Sequence, residues 1–202
     1  MLAVSRARRA PCGCPRTSCT GGARPLTETP GAYPREVETE RLLLRQFREQ
    51  DFEPYFRIAS HPDVRRSFHR TDTPSRDETW RGMAMLAGVW AIRGYGYWAV
   101  ELKETGQLIG RVGAWYPIWY PEVEVGWLIA RELWGRGYAT EAGAEALHQV
   151  FANLGVDHAS SLIHPDNVGS RRVAEKLGGK LEKTFMLGDE ELVFYGYTSA
   201  PR

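Results

Sequence analysis

Apolar and polar positions alternate through "ETERLLLRQF" (Glu38 to Phe47), with Leu42, Leu44 and Gln46 on one face and Leu43, Arg45 and Phe47 on the other. This period of two predicts a first strand. "EQDFEPYFRIASHPDV" predicts a short helix from Asp51 that ends near Pro62, and "TPSRDETWRGMAMLAGVWAIRG" a longer one closed at Gly94. Two apolar strands in "YGYWAVELKETGQLIGRVGAWYP" flank the turn residues "KETGQ", and "VEVGWLIA" supplies a third after Pro121. "GYATEAGAEALHQVFANLG" places Ala139, Ala142, Ala146, Val150 and Leu154 near the helical period and stops at Gly155. A short strand, "HASSLIHP", a helix, "VGSRRVAEKLG", and a hairpin of "KLEKTFML" and "ELVFYGYT" around Gly188 and Asp189 complete the chain. The order is strand, two helices, three antiparallel strands, helix, strand, helix, two strands. That is one mixed α/β domain, expected over residues 36–200.

Composition narrows the picture. The 202 residues, 43% hydrophobic and 25% charged, suit a single globular domain of moderate size. The net charge of +1 is unevenly spread: Met1 to Arg35 hold six arginines and one acid, and the remainder carries 20 Lys and Arg against 24 Asp and Glu. A mildly acidic body speaks against broad phosphate-backbone binding, so no nucleic-acid partner is expected. Cys12, Cys14 and Cys19 all lie in "APCGCPRTSC", where neither His nor further Cys completes a four-ligand zinc set, so no metal is expected and residues 1–35 read as a disordered leader. The body lacks cysteine, which removes a disulfide framework and a thiol nucleophile. No apolar run reaches the ~20 residues of a membrane span. A cytoplasmic protein, monomeric or homodimeric, is the expectation.

Chemistry enters with "ELWGRGYATEA", where Gly135 and Gly137 stand directly before a helix. The first turn of any helix leaves backbone N–H groups without internal partners, and the aligned peptide dipoles make that end partly positive. Glycines remove the side chains that would hold a phosphate away, and they permit backbone conformations that other residues resist. The loop lacks the Gly-Lys-Ser/Thr ending of a Walker loop, and Thr140 stands where a dinucleotide fingerprint needs its third glycine. From these residues alone, a helix entry that merely eases packing remains the alternative.

"EVGWLIARELWGRGYATEA", followed about two dozen residues later by "HPDNVGSRRVAEKLG", resembles the GNAT superfamily of acyl-CoA-dependent N-acyltransferases. More narrowly it is similar to the branch of the RimJ and RimL ribosomal-protein N-terminal acetyltransferases, over roughly Glu38 to Tyr197. The resemblance implies a mostly antiparallel sheet of about seven strands with splayed central strands, about four helices, and acetyl-CoA as co-substrate. It implies that the backbone of Trp127, Leu128 and Ile129 bonds the pantetheine arm, and that Trp134, Gly135, Arg136, Gly137, Tyr138, Ala139 and Thr140 cradle the diphosphate. Glu132 stands where the family consensus has Gln or Arg, which leaves Arg131 or Arg136 to supply positive charge. Asn167 matches a family residue that bonds the pantetheine or nearby backbone; read from the residues alone, Asp166 or Asn167 is equally a helix cap. Arg171, Arg172 and Lys176 are candidates for the 3′-phosphate, or else a solvated helix face.

Acetyl transfer to an amine needs a neutral nucleophile, stabilisation of the developing oxyanion and a proton for the departing thiolate. Glu124, two residues before Gly126 on one strand face, is the leading candidate for the base, ahead of Glu122. Ala174 and Gly179 stand where many family members have Tyr and Phe, so the resemblance leaves Ser170, a bound water or another Tyr to serve the sulfur. Trp115, Trp119 and Tyr120 of "AWYPIWYPE", with Tyr116, Trp80, Trp90 and Tyr97, form either an acceptor wall or core. Three functions follow: an acetyltransferase acting on a protein N-terminal amine, one acting on a small amine, and a catalytically weak acyl-CoA-binding sensor of the same fold.

Overall fold

The computed structural model describes residues 32–116, 120, 122–187 and 190–199. The predicted first strand is two. β1 (Glu36–Glu38) and β2 (Leu42–Arg45) pair antiparallel, because the Thr39 hydroxyl accepts the Leu42 amide and the chain reverses at Glu40 and Arg41. α1 (Phe52–Ser60) ends before Pro62 as expected, but that proline opens a further short helix, α2 (Pro62–Ser67), instead of a loop. Its fixed φ and missing N–H suit the first helical position, and His61 Nδ1 accepts the Asp63 amide to cap it. α3 (Arg76–Arg93) starts on a Ser75–Glu78 capping box and stops at Gly94, whose φ of 74° is left-handed.

β3 (Tyr97–Leu102), β4 (Leu108–Trp115) and β5 (Glu124–Ile129) form an antiparallel meander, followed by α4 (Tyr138–Asn153), β6 (His158–Ile163), α5 (Val168–Lys176), β7 (Lys180–Leu187) and β8 (Glu190–Thr198). Among the described residues, eight strands join in the order β1-β2-β3-β4-β5-β6-β8-β7, and only β5 and β6 run parallel. The sheet thus has one strand, and the chain one helix, beyond the sequence reading. No described helix is long and apolar enough to cross a membrane.

The pleat sends alternate residues to opposite faces. On one, Trp98, Val100, Val112, Ala114 and Val125 pack on Ala142, Ala146 and Val150 of α4 and on Ala174 of α5. On the other, Tyr97, Ala99 and Leu108 meet Tyr55 of α1 and Met83 and Leu86 of α3. Arg45 is buried on this second side, bidentate to Asp51 at 2.7 and 2.8 Å and bonded to Glu101 at 2.7 Å, so its charge is matched. Where the family pattern has an aromatic at Gly179, Tyr197 of β8 packs against that glycine instead. Tyr33, within the segment read as leader, is buried and stacks on Trp98 at 4.7 Å; Cys12, Cys14, Cys19, Gly188 and Asp189 lie outside the described residues.

One polar bridge on the sheet responds to pH. His158 Nδ1 lies 3.0 Å from both oxygens of Glu122 and its Nε2 3.1 Å from Glu182, whose carboxylate reaches across β8 over Gly196. Burial opposes charge on the ring, but the two carboxylates outweigh it and raise its pKa. A raised value means stability that is full below the unfolded histidine value, about 6.5, and that fades as pH rises through the folded one. We expect the Tm advantage of the wild type over His158→Gln to shrink between pH 6 and 9; a gap that is constant or widens would remove the bridge from the fold's energetics.

Candidate active site

The register of the meander gathers the site. Tyr97 of β3 lies opposite Gly113 of β4, which lies opposite Gly126 of β5; on the same face Arg111 opposes Leu128 and Trp115 opposes Glu124. The paired glycines lower the sheet surface between these larger residues. Tyr97 fills part of that trough, and any Cβ at Gly126 would collide with its hydroxyl. The Arg111 guanidinium lies 4.2 Å above the Tyr97 ring.

Above this floor is a cavity of about 330 Å³. Its walls are Ser67 at the end of α2, Phe68 and Arg70 just after it, Met85 and Leu86 of α3, and Trp115 with Tyr120; on the far side stand Ser161, Leu162, His164, Asn167 and Ser170. Glu124, Tyr120, Trp115 and Ser170 of the sequence reading therefore meet in one space. Burial pushes the Glu124 carboxyl up to about 7, against the opposing pull of Arg111, the Leu162 backbone and the Tyr120 hydroxyl. Burial and the adjoining Glu124 also raise the Tyr97 and Tyr120 hydroxyls, so both stay protonated donors. Glu122, the second candidate base, is held by His158. Trp90 is core and donates to the Tyr97 carbonyl, Trp80 packs on Phe52, and Trp119 lies outside the described residues.

The cavity opens where the sheet parts. β5 and β6 share a single pairing, Glu124 with Ser160, whereas β4 pairs with β5 over six residues. Beyond it, the β6-facing edge of Trp127, Leu128 and Ile129 has no strand partner among the described residues. The Ile129 carbonyl accepts the Trp134 indole N–H at 2.7 Å, which folds the glycine turn back onto the strand end.

At the end of that opening, Gly135 and Gly137 adopt φ of 78° and 84°, the left-handed region that favours glycine. Gly137 is the N-cap of α4 and brings no side chain to the first-turn amides of Tyr138, Ala139 and Thr140. Sequence reasoning missed Arg41 here. From the β1–β2 turn its Nη1 donates to the Arg136 carbonyl at 3.0 Å, its Nε to Glu141 at 2.7 Å, and its guanidinium lies 4.3 Å from the Tyr138 ring centroid. Thr39 and the Arg41 amide also bond Glu141, so the acid in the first turn of α4 is neutralised. Arg131, one of two proposed sources of charge, is engaged by Asp63 at 2.8 Å, while Arg136 and Glu132 are exposed.

Asn167 is a cap: its Oδ1 accepts the Ser170 amide at 3.0 Å and its Nδ2 donates to the Ser67 carbonyl at 2.8 Å, which ties α5 to α2. Arg171 donates to the Tyr195 hydroxyl and the Pro165 carbonyl, and Lys176 is exposed at the end of α5. His69 and His164 stack at 3.8 Å beside Asp166. Their planes are 13° apart, so the in-plane lone pairs of the two rings lie in separate, nearly parallel planes, a poor arrangement for sharing one ion.

Comparison with known proteins agrees with this architecture. A family model described as acetyltransferase (GNAT) domain matches residues 41–180. The uncharacterized N-acetyltransferase YoaA of Bacillus subtilis (strain 168) is 28% identical over 147 residues, which cover 72% of this chain and 83% of YoaA. The crystal structure of the acetyltransferase from Agrobacterium tumefaciens str. C58 matches with a TM-score of 0.73 at 31% identity, over 81% of this chain and 94% of that one. Mycobacterium smegmatis RimJ in complex with CoA-disulfide matches in fold, with a TM-score of 0.62 at 20% identity over 78% of this chain and 82% of RimJ.

Proposed function

The chain belongs to the GNAT acetyltransferase family, and on that premise we propose that it transfers an acetyl group from acetyl-CoA directly to a primary amine. The observation that carries this reading is the parted β5–β6 edge, with Glu124 and the cavity at its closed end and the uncapped, glycine-entered α4 at the other. A long thioester donor fits such a layout. Its diphosphate meets the Gly135–Thr140 turn beside Arg41 and Arg136, its pantetheine follows Trp127 to Ile129, and its thioester reaches the cavity. Exposed Lys176, and Arg171 on the same helix, remain the candidates for the 3′-phosphate. The RimJ likeness in fold supports placing the chain in the RimJ/RimL-like branch.

Glu124 acts as general base, directly or through water. The amine nitrogen forms a bond to the acetyl carbon and the carbon–sulfur bond breaks. One ammonium proton passes to Glu124 and then to solvent, and a second goes to the thiolate. Tyr120, Tyr97 and Ser170 are the hydroxyls around the cavity that can bond the oxyanion or the sulfur. A carboxyl titrating near 7 is suited to such work, since it is a stronger base than an ordinary glutamate yet half ionised at neutral pH.

Two measurements test the reading. Acetyl-CoA is expected to raise Tm, and thiol release is expected with at least one class in a panel of amino acids, polyamines and peptides with free N-termini. A thermal shift without release from any amine would favour the sensor reading; no shift would defeat both.

A further inference from the structure

The cavity floor carries a charge that acetyl transfer itself does not require. Arg111 projects from β4 between the strands that hold Tyr97 and Glu124, and it lines the cavity. Its Nε is buried and has no hydrogen-bond partner among the described residues. A buried guanidinium N–H left unpaired is costly, and the fork geometry of Arg matches the paired oxygens of a carboxylate, as it does those of a phosphate. Arg70 stands at the rim of the same cavity.

We propose that the acceptor is a zwitterion, an α-amino acid or a small amine bearing a carboxylate on the neighbouring carbon, and that Arg111 is the specificity-determining residue that holds this carboxylate. The inference rests on the acetyltransferase reading above and names its second substrate.

The arrangement separates the two ends of such an acceptor. Its ammonium faces Glu124 and its carboxylate faces Arg111, and both side chains stand on the sheet face that floors the cavity. The lining holds Arg70 and Arg111 against Glu124 and Glu190, with His164 as a further titratable group. Burial favours the neutral form of Glu124, which leaves the Arg111 cation without a full counter-charge where the acceptor sits. A polyamine or aminoglycoside would bring several ammonium groups into that field. A peptide N-terminus offers Arg111 an amide carbonyl, an uncharged partner, in place of the carboxylate. Phe68, Tyr97, Trp115 and Tyr120 leave the side chain of the acceptor an aromatic surround, so large apolar amino acids fit best.

The test compares phenylalanine, phenylalaninamide, phenethylamine and spermidine by CoA thiol release, with wild type, Arg111→Gln and Arg111→Lys. Wild type is expected to prefer phenylalanine. Arg111→Gln should raise the KM for phenylalanine by about tenfold with a small change in kcat, leave the amide and the amine nearly unaffected, and be partly rescued by Lys. A retained Tm shift with acetyl-CoA shows that the variant is folded. Binding of phenylalanine to the CoA-loaded protein, measured by calorimetry, is the second readout, expected in wild type and weakened about tenfold in Arg111→Gln. Such binding without release from any amine would defeat the acetyltransferase reading and, with it, the assignment of phenylalanine as acceptor. Preference for spermidine or phenethylamine, or an Arg111→Gln loss equal for all four amines, would overturn it.

Discussion

Glu124→Gln is expected to lower kcat by roughly 10²- to 10⁴-fold while leaving the acetyl-CoA-induced rise in Tm in place, because a positioned general base contributes on that scale. The amide keeps the size of the side chain, and it removes only the ability to take a proton. Wild-type kcat/KM should climb with pH and level off above about 7, where the buried carboxyl has lost its proton and can accept one from the ammonium. That inflection should vanish in the variant. Full activity in Glu124→Gln with the same pH profile would transfer the role of base to another group.

Gly137→Glu is expected to abolish the acetyl-CoA-induced rise in Tm. At φ 84° any side chain adds strain, about 1–2 kcal/mol, and this one also brings a carboxylate to the amide-rich entrance of α4 where a diphosphate is expected. Gly137→Ala separates the two effects. Its Cβ would stand 3.4 Å from the Arg41 guanidinium, an approach that this partly exposed side chain can relieve, so Ala should lower Tm yet keep most of the response to ligand. A Glu variant that responds like the Ala variant would mean that the turn does not hold the phosphates.

What the sequence made legible was local. The glycine pair, the Gly94 stop and the Asn167 cap each depend on a few neighbouring residues, and the structure agrees with them. Glu124 was singled out as a candidate base through its spacing from Gly126, and the structure sets it in the cavity lining. Continuous alternation in "ETERLLLRQF" hid a chain reversal, since a turn closed by the Thr39 hydroxyl leaves the apolar pattern of Leu42 and Leu44 intact. Pro62 was read as a stop because it ends one helix, although proline equally starts the next. Arg41 was invisible for a different reason: it meets α4 across nearly 100 residues, through a contact that no short window contains. Arg111 did leave a trace, a lone cation within the apolar strand "LIGRVGAW", but its place beside Glu124 depends on the register of β4 against β5.

Tyr33 belongs to the packed domain although it precedes residue 36, the boundary expected from the sequence. The ring is shared among Trp98, Trp90 and Tyr95, at centroid distances of 4.7, 5.6 and 6.0 Å, and the Pro34 carbonyl accepts the Trp98 indole N–H. A protein cut back to Glu36 would strip the lid from these indoles and admit water to the side of the sheet away from the Glu124 cavity. Its tryptophan emission would report the loss directly, so recombinant boundaries drawn at the first strand would remove part of the core.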